Sequence, residues 1–477
     1  MTVDYDLIVV GNGSVGRYAA LRASQTGARV ALVIAREPQD LEQSVRSSLL
    51  AQLNRRLGQQ GWLQQWNKIP SGQDFQLDWP QIRTRVKTLT ETLDGSTVLP
   101  DSLAHLTAAG VDVVQAPAEF RQRPRLSLLA ERLLRSRAYL LTPFPRPVVP
   151  PIPGLEQFAT CDDWYQRWPV QPASLAILGT DPSGLLLAQL LNRLGTQVTL
   201  VTQREWLLPD PDLSRALQLR LEAEGVTVLT RTEVRQIEQT AGGRGLRLID
   251  LSEHLNPTEQ VLETEALLLA STPSFDLTEL RLDQVGVVWQ PDRIPVNRHL
   301  QTSQPRIYAC GIAPEQMAYR SSLAAAAEIA LHNALFWPPQ SVAPHALQSL
   351  PTDPELAWVG WSEAAARRRY GPEVLVVYQP ENSRLATQTR GGFLKLVVHR
   401  NGRLLGAQAM GSEAVASLEP VALAMQQNLK LKDLARLLSG AGPTELLRQA
   451  AQHLQQQQSP RWRRELLELW FDLRRGR

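Results

Sequence analysis

Residues 175–201 read LAILGTDPSGLLLAQLLNRLGTQVTLV. An apolar run, Leu175 to Leu178, meets Gly179. Gly184 stands five places on, an apolar helical stretch follows, and a second strand-like run ends at Val201. Strand, tight turn, helix, strand is the unit with which a parallel α/β sheet holds a dinucleotide. Its first glycine permits the bend, its second lets the backbone approach a pyrophosphate, and its third lets helix and strand pack closely. Gly179 and Gly184 fill the first and third places, and Asp181 stands in the second. Asp181 followed by Pro182 reads as a helix N-cap with proline at N1. Its carboxylate would repel a phosphate and satisfy the helix's own N–H groups instead. The turn is therefore expected to keep the fold and to have a blunted ligand site.

The chain opens on the same layout: residues 4–37 read DYDLIVVGNGSVGRYAALRASQTGARVALVIARE. Here the glycines are complete at Gly11, Gly13 and Gly16, with Ser14 beside them, between a strand at Leu7 to Val10 and another at Val30 to Ile34. A lone GxGxxG is weak, but one that follows a strand and opens a helix is a strong sign of dinucleotide binding. Free N–H groups at the helix start attract an anion. The second strand ends on Ile34, where an acidic residue would normally take the ribose hydroxyls. Glu37 is out of register to replace it. In the later unit the corresponding strand runs to Thr202, and Gln203 and Arg204 follow, with Arg204 the side chain that could meet a 2′-phosphate. Two such units in one chain predict two nucleotide-binding folds.

The 477 residues suit about three domains. A 43% hydrophobic content fits a globular protein, and no apolar run reaches the ~18 residues of a spanning helix. The N-terminus enters a strand at once, without a basic region or cleavage site, so no signal peptide is expected. A net charge of +3 does not suggest nucleic acid as a partner. Cys161 and Cys310 are the only cysteines and sit in unrelated segments, which excludes a CxxC pair or a zinc set and fits a reducing cytoplasm. Seven histidines are scattered without metal-ligand spacing.

Between the two units, LLTPFPRPVVPPIPGLE (140–156) is too rich in proline for a helix or central strand and reads as a linker. RIYACGIAP (306–314) starts a short strand and a turn at Gly311, ahead of an alanine-rich helix. From about 350 strands and helices mix, and Asn401-Gly402 inside VVHRNGRLLGAQ predicts a hairpin.

Taken together, the first glycine turn, the 140–156 segment, RIYACGIAP, GGFLKLVVHRNGRLLGAQAMG (391–411) and LKDLARLLSGAGPTELL (431–447) resemble the flavoprotein disulfide oxidoreductases, in family order over about residues 4–450. The resemblance implies an α/β fold with two Rossmann-like domains, of FAD type and NAD(P) type, and a C-terminal α+β domain that forms a homodimer. The expected boundaries are 1–148 and 273–345 for the FAD-type domain, 149–272 for the NAD(P)-type, 346–452 for the interface domain and 453–477 for a tail. It implies cofactor contacts at Gly11, Gly13, Ser14, Gly16, Thr142 and Gly311, and at Gly179, Gly184 and Arg204. The first fold could thus retain FAD, with Ile34 counting against it, while Asp181 argues against NAD(P) in the second.

The resemblance also places the family's redox disulfide at Pro38 and Gln43, its lysine–glutamate pair at Ser47 and Leu186, and its closing histidine and glutamate at Gly442 and Leu447. Glu445 is out of phase with the lost glutamate. The family's flavin-binding aspartate falls on Ile312, and Pro143 replaces a glycine. No catalytic residue and no metal ligand is therefore expected. The chain reads as a degenerate member, a dimeric binding or assembly scaffold. The alternative is an FAD-dependent NAD(P)H oxidoreductase with a non-disulfide acceptor such as a quinone.

In the tail, Trp462, Leu466, Leu469, Trp470 and Leu473 make one helical stripe flanked by arginines. Such a helix packs on its own dimer, docks a protein partner or lies on a membrane surface. The expected location is the cytoplasm, with peripheral attachment to a membrane as the variant the tail would add.

Overall fold

The computed structural model describes residues 3–11, 13–34, 53, 79–84, 86–87, 103–121, 125–128, 132–142, 146–156, 158–161, 163–208, 210–240, 243–251, 259–271, 273–274, 277–290, 293–311, 323–337, 339–342, 346–380, 392–437, 447–452, 470 and 474–475. They fall into two compact units, 1–342 and 343–477.

The first unit begins with β1 (Tyr5–Val10), α1 (Ser14–Gln25), β2 (Val30–Ile34), α2 (Leu103–Ala108) and β3 (Asp112–Gln115). A meander of β4 (Ala118–Arg121), β5 (Arg125–Leu128) and β6 (Arg132–Leu134) precedes β7 (Ser136–Leu141). After the short β8 (Arg146–Pro147) come β9 (Ala159–Thr160), α3 (Trp164–Arg167), β10 (Ser174–Leu178), α4 (Pro182–Arg193), β11 (Gln197–Val201), α5 (Pro211–Ala223) and β12 (Thr227–Leu229). A second meander, β13 (Thr232–Thr240), β14 (Gly243–Asp250) and β15 (Glu259–Thr264), leads to β16 (Ala266–Leu269). Then β17 (Pro273–Ser274), β18 (Ile307–Ala309) and α6 (Leu323–Leu335) close the unit.

Two five-stranded parallel sheets result, ordered β18-β7-β1-β2-β3 and β9-β16-β10-β11-β12. They are the same design twice. β1 and β10 are central, and β7 and β16 flank them on one side. A three-stranded antiparallel meander enters before each flanking strand. The first sheet is buried on both faces, as a parallel sheet must be. Leu7, Val9, Leu32 and Leu140 pack with Ala20 of α1 and Ala327 of α6, while Ile8, Val10, Val33 and Leu141 pack with Phe120 of the meander.

The repeat expected from sequence is present, and so are the strand at 307–309 and the alanine-rich helix. Two points differ. The proline-rich 140–156 segment is not all linker: it includes the end of β7 and the edge strand β8, which pairs with β17. Proline is tolerated there because an edge leaves its missing N–H unneeded. Neither meander was read from the sequence.

The second unit holds an antiparallel sheet, β19 (Gln348–Leu350), β20 (Glu355–Gly360), β21 (Val374–Pro380), β22 (Phe393–His399) and β23 (Leu404–Gly411), in the order β19-β20-β23-β22-β21. The Asn401-Gly402 turn joins β22 to β23, with Gly402 at φ +89° as a hairpin of this kind requires. Helix α7 (Glu363–Tyr370) packs Ala366 on Val374, Val397 and Leu405. Helices α8 (Ala414–Gln426) and α9 (Leu431–Leu437) cover the other face through Leu418, Val421 and Leu434. This is the α+β domain expected there. Of the tail, Trp470 is half exposed and the Arg474 guanidinium stands 4.8 Å over its ring; the rest of the stripe lies outside the described residues.

In this unit the buried Lys395 of β22 sets its Nζ 2.7 Å from Glu363, whose other oxygen takes Arg367 Nε at 2.7 Å. Burial alone would raise the Glu363 carboxyl, but the hydrogen bonds and charges of Lys395 and Arg367 outweigh it and hold it below its ordinary value. A depressed carboxyl stabilises the fold above its unfolded pKa, about 4.3, and that stability disappears as pH falls through the folded value. Urea melts taken from pH 6 down to pH 3 are therefore expected to show wild type losing stability steeply below about pH 4.5. Glu363→Gln, already lacking the charge, should start less stable and change less with pH. Parallel pH profiles for the two proteins would refute the assignment.

Candidate functional site

Each parallel sheet offers a site where its central strand turns into a helix. In the first, Gly11 N donates to Val33 O at 3.0 Å, Thr142 N to Val10 O at 2.8 Å, and Arg17 N to Gly13 O at 3.1 Å. In the second, Gly179 N donates to Val201 O at 2.9 Å, Ala270 N to Leu178 O at 2.8 Å, and Leu185 N to Asp181 O at 3.1 Å. Thr142 and Ala270 thus hold equivalent places at the ends of β7 and β16, and Gly13 and Asp181 at the starts of α1 and α4.

The glycines are needed for two reasons. Gly11 has φ +135° and Gly179 φ +109°, a region L side chains rarely adopt. A Cβ on Gly11 or on Gly16 would also collide with Thr142, and one on Gly179 or Gly184 with Ala270. The helices therefore lie against the flanking strands with no room for a methyl group. This brings Gly11, Gly16 and the buried Thr142 into one place, with Gly13 at the start of the helix between them. Ser14 is the first residue of α1. Gly311, buried and at φ +71°, follows Cys310 at the end of β18, one strand beyond Thr142; Cys310 N donates to Leu141 O at 3.1 Å.

The two helix starts then part. Gly13 is an extended N-cap at φ −66°, ψ 164°, and, being glycine, makes no side-chain cap bond. A glycine N-cap has no side chain to occupy the first N–H groups of the helix, the arrangement that binds a pyrophosphate. These residues fit the diphosphate of an FAD: Gly11, Gly13 and Gly16 would form the cradle, and the helix N-terminus would supply donors. Arg17, one residue past Gly16, is only 2% exposed. It places a permanent positive charge in the first turn of α1. Sequence reasoning passed over it; a charged residue inside the alanine-rich buried face of α1 was the available signal.

At α4 the N-cap is Asp181, and its carboxylate accepts from Ser183 N at 2.9 Å, with Pro182 at N1. The self-capping read from sequence is what the structure contains. The residues of this turn do not fit a second diphosphate: the anion position carries a carboxylate of the chain. Arg204 lies beyond the end of β11, exposed, its N donating to Thr202 Oγ1 at 3.2 Å and its carbonyl accepting from Arg231 N at 3.0 Å. It is therefore on the same edge of the sheet as Gly179 and Gly184.

Other positions singled out by the sequence prove to be core. Ile34 is 2% exposed and packs in the core beside α1. Leu186 is buried on α4 and Leu447 in the core under the second unit's sheet. Glu37, Pro38, Gln43, Ser47, Pro143, Ile312, Gly442 and Glu445 lie outside the described residues. Cys310 is fully buried, which pushes its thiol up to about 12, so it remains a thiol at neutral pH. The partly buried Cys161 follows β9 in the other sheet. Among the described residues no group of three His, Cys, Asp or Glu could hold a metal, and no helix is long and apolar enough to cross a membrane.

Residues 5–327 match the family model for pyridine nucleotide-disulphide oxidoreductases, and residues 348–445 match the dimerisation domain of the same family. The chain therefore belongs to the pyridine nucleotide-disulphide oxidoreductase family, whose members are FAD-dependent. It is 26% identical over 454 residues to a mercuric reductase of Staphylococcus aureus, covering 90% of this chain and 79% of the relative. It is likewise 26% identical over 461 residues to a glutathione reductase of Nostoc sp., covering 91% and 96%. The solved HOCl-induced flavoprotein disulfide reductase RclA of Escherichia coli has the same fold, at a TM-score of 0.75 and 20% identity over 94% of this chain and 99% of that one.

Because α1 rests directly on Thr142, Gly11→Ala is expected to cost roughly 2 kcal/mol or more, through a forbidden φ and a backbone collision. Ala at Gly27, which also has positive φ but nothing within 4 Å, should cost less. Thermal melts of the two variants check this; equal losses would show that the close approach is not what matters.

Proposed function

We propose that this chain is a homodimeric, FAD-holding member of the family that performs no dithiol–disulfide exchange and takes no nicotinamide dinucleotide in the usual pose, serving as a binding or assembly scaffold in the cytoplasm. The observation that carries the reading is the Asp181–Ser183 cap beside an uncapped equivalent at Gly13. Two unit charges ~4 Å apart repel by about 4 kcal/mol at an effective dielectric near 20, enough to remove most of the affinity a helix N-terminus would provide. Dithiol exchange needs a thiolate with a partner sulfur within reach. The chain has two cysteines, on different sheets, and Cys310 is held neutral. The match of residues 348–445 to the dimerisation domain supports the homodimer. Reduction of a quinone or similar acceptor would still need an electron donor, and the capped turn disfavours NAD(P)H in that role.

The FAD would supply redox chemistry if any is retained. This chain's own contribution would be to bind its diphosphate at Gly11, Gly13 and Gly16.

Purified protein is expected to carry flavin absorbance and to run as a dimer by light scattering. Calorimetric titration with NADH and NADPH should show no micromolar binding, about −8 kcal/mol. No NADPH-driven reduction of glutathione disulfide, lipoamide or mercuric ion should exceed an enzyme-free control. Asp181→Gly should strengthen NADPH binding at least about tenfold, since only about 1.4 kcal/mol of repulsion need be relieved. Micromolar binding by wild type, or an Asp181→Gly variant no better than wild type, would defeat the proposal.

A further inference from the structure

The residue after the third glycine is Arg17 in the first fold and Leu185 in the second. The backbone marks the two places as equivalent: Arg17 N donates to Gly13 O and Leu185 N to Asp181 O, both at 3.1 Å. Both side chains are buried, Arg17 at 2% exposed and Leu185 at 0%. A leucine in such a place is ordinary core. A guanidinium is not, because taking a charge out of water is costly and is repaid only by acceptors, best of all by an anion.

Helix geometry says where that charge acts. Side chains of a helix lean toward its N-terminus and lie over the residues three and four places earlier. For Arg17 these are Ser14 and Gly13, and Gly13 has no side chain to fill the space. The first turn of α1 holds no acidic residue. At α4 the residue four places before Leu185 is Asp181, whose carboxylate caps Ser183 N. The repeat therefore sets a buried cation beside the helix start whose cap carries no carboxylate, and an apolar residue beside the one whose cap does. A guanidinium presents five N–H donors in a planar fork that matches phosphate oxygens, enough to serve an acceptor of the chain and an outside anion together.

We infer that Arg17 binds the diphosphate of the flavin cofactor, adding a full positive charge to the partial one at the N-terminus of α1. The inference rests on the first fold's being an FAD site. It adds to the glycine cradle a residue that the glycine pattern does not contain, and it gives the first fold an electrostatic preference for a dianion that the second lacks.

The test compares full-length wild type with Arg17→Met, Arg17→Gln and Arg17→Lys. Flavin absorbance of the purified proteins gives retention, and titration of the flavin-stripped proteins with FAD gives affinity. Arg17→Met and Arg17→Gln are expected to bind FAD at least about tenfold more weakly, the weight of one charge-assisted hydrogen bond. Arg17→Lys, which keeps the charge, should recover most of the loss. Leu185→Met, a volume-conserving change at the equivalent place, should leave flavin retention and affinity unaltered. Phosphorus NMR of the flavin-loaded proteins adds a readout that a merely structural role would not move: the diphosphate resonances should differ between wild type and Arg17→Lys. That comparison also decides the matter if neither neutral variant folds. Neutral variants that bind FAD as tightly as wild type, a lysine variant no better than they are, or identical phosphorus spectra would overturn the inference while leaving the flavin site standing. Wild type that neither carries nor binds FAD would overturn the flavin site and the inference with it.

Discussion

The contact between a glycine-bearing helix start and the end of a flanking strand governs the first unit. α1 cannot lie where it does unless positions 11 and 16 lack a side chain, because Thr142 fills the space. α4 lies against Ala270 under the same restriction at positions 179 and 184. That approach aims each helix N-terminus at the carboxyl edge of its sheet, so each fold creates an anion site whether or not a ligand uses it. The architecture is inherited with the packing; what occupies the helix end is decided separately, by one residue.

The internal repeat makes that separation visible. Backbone hydrogen bonds at equivalent places agree within about 0.1 Å in the two folds, and the strand orders correspond throughout. Against so constant a background, Gly13 and Asp181 are a comparison between uncapped and capped versions of one turn within a single chain. The first has extended backbone at a glycine N-cap, and the second an aspartate bonded to Ser183. A side-chain cap contributes about 1 kcal/mol to a helix, small in the stability of the unit yet enough to compete with an incoming anion.

Both turns were legible in the sequence because they rest on local rules: glycine where φ is positive, proline at N1, an N-cap aspartate, apolar runs of strand length. The Asn401-Gly402 hairpin was legible for the same reason. The two meanders were not. Strands β4 to β6 are three or four residues long, so the alternation of Ala118 with Phe120 and of Leu126 with Leu128 is too short to stand out, and β13 and β15 carry polar residues through most of their length. Strand β9 has two residues, too few for any period. Arg17 escaped because burial of a charge is a tertiary fact.

The capped turn also changes how the two halves respond to supply. A site that binds a ligand only when folded gains stability as the ligand accumulates, by about 2.7 kcal/mol when the free ligand stands a hundredfold above its dissociation constant. The first fold, with its helix end left open, would track the availability of flavin in this way. The second carries its anion covalently, at a local concentration no metabolite pool can alter. On the proposed reading, half of the repeat would be a fixed support and the other half conditional, and depletion of the cofactor would loosen one sheet while its twin held its shape.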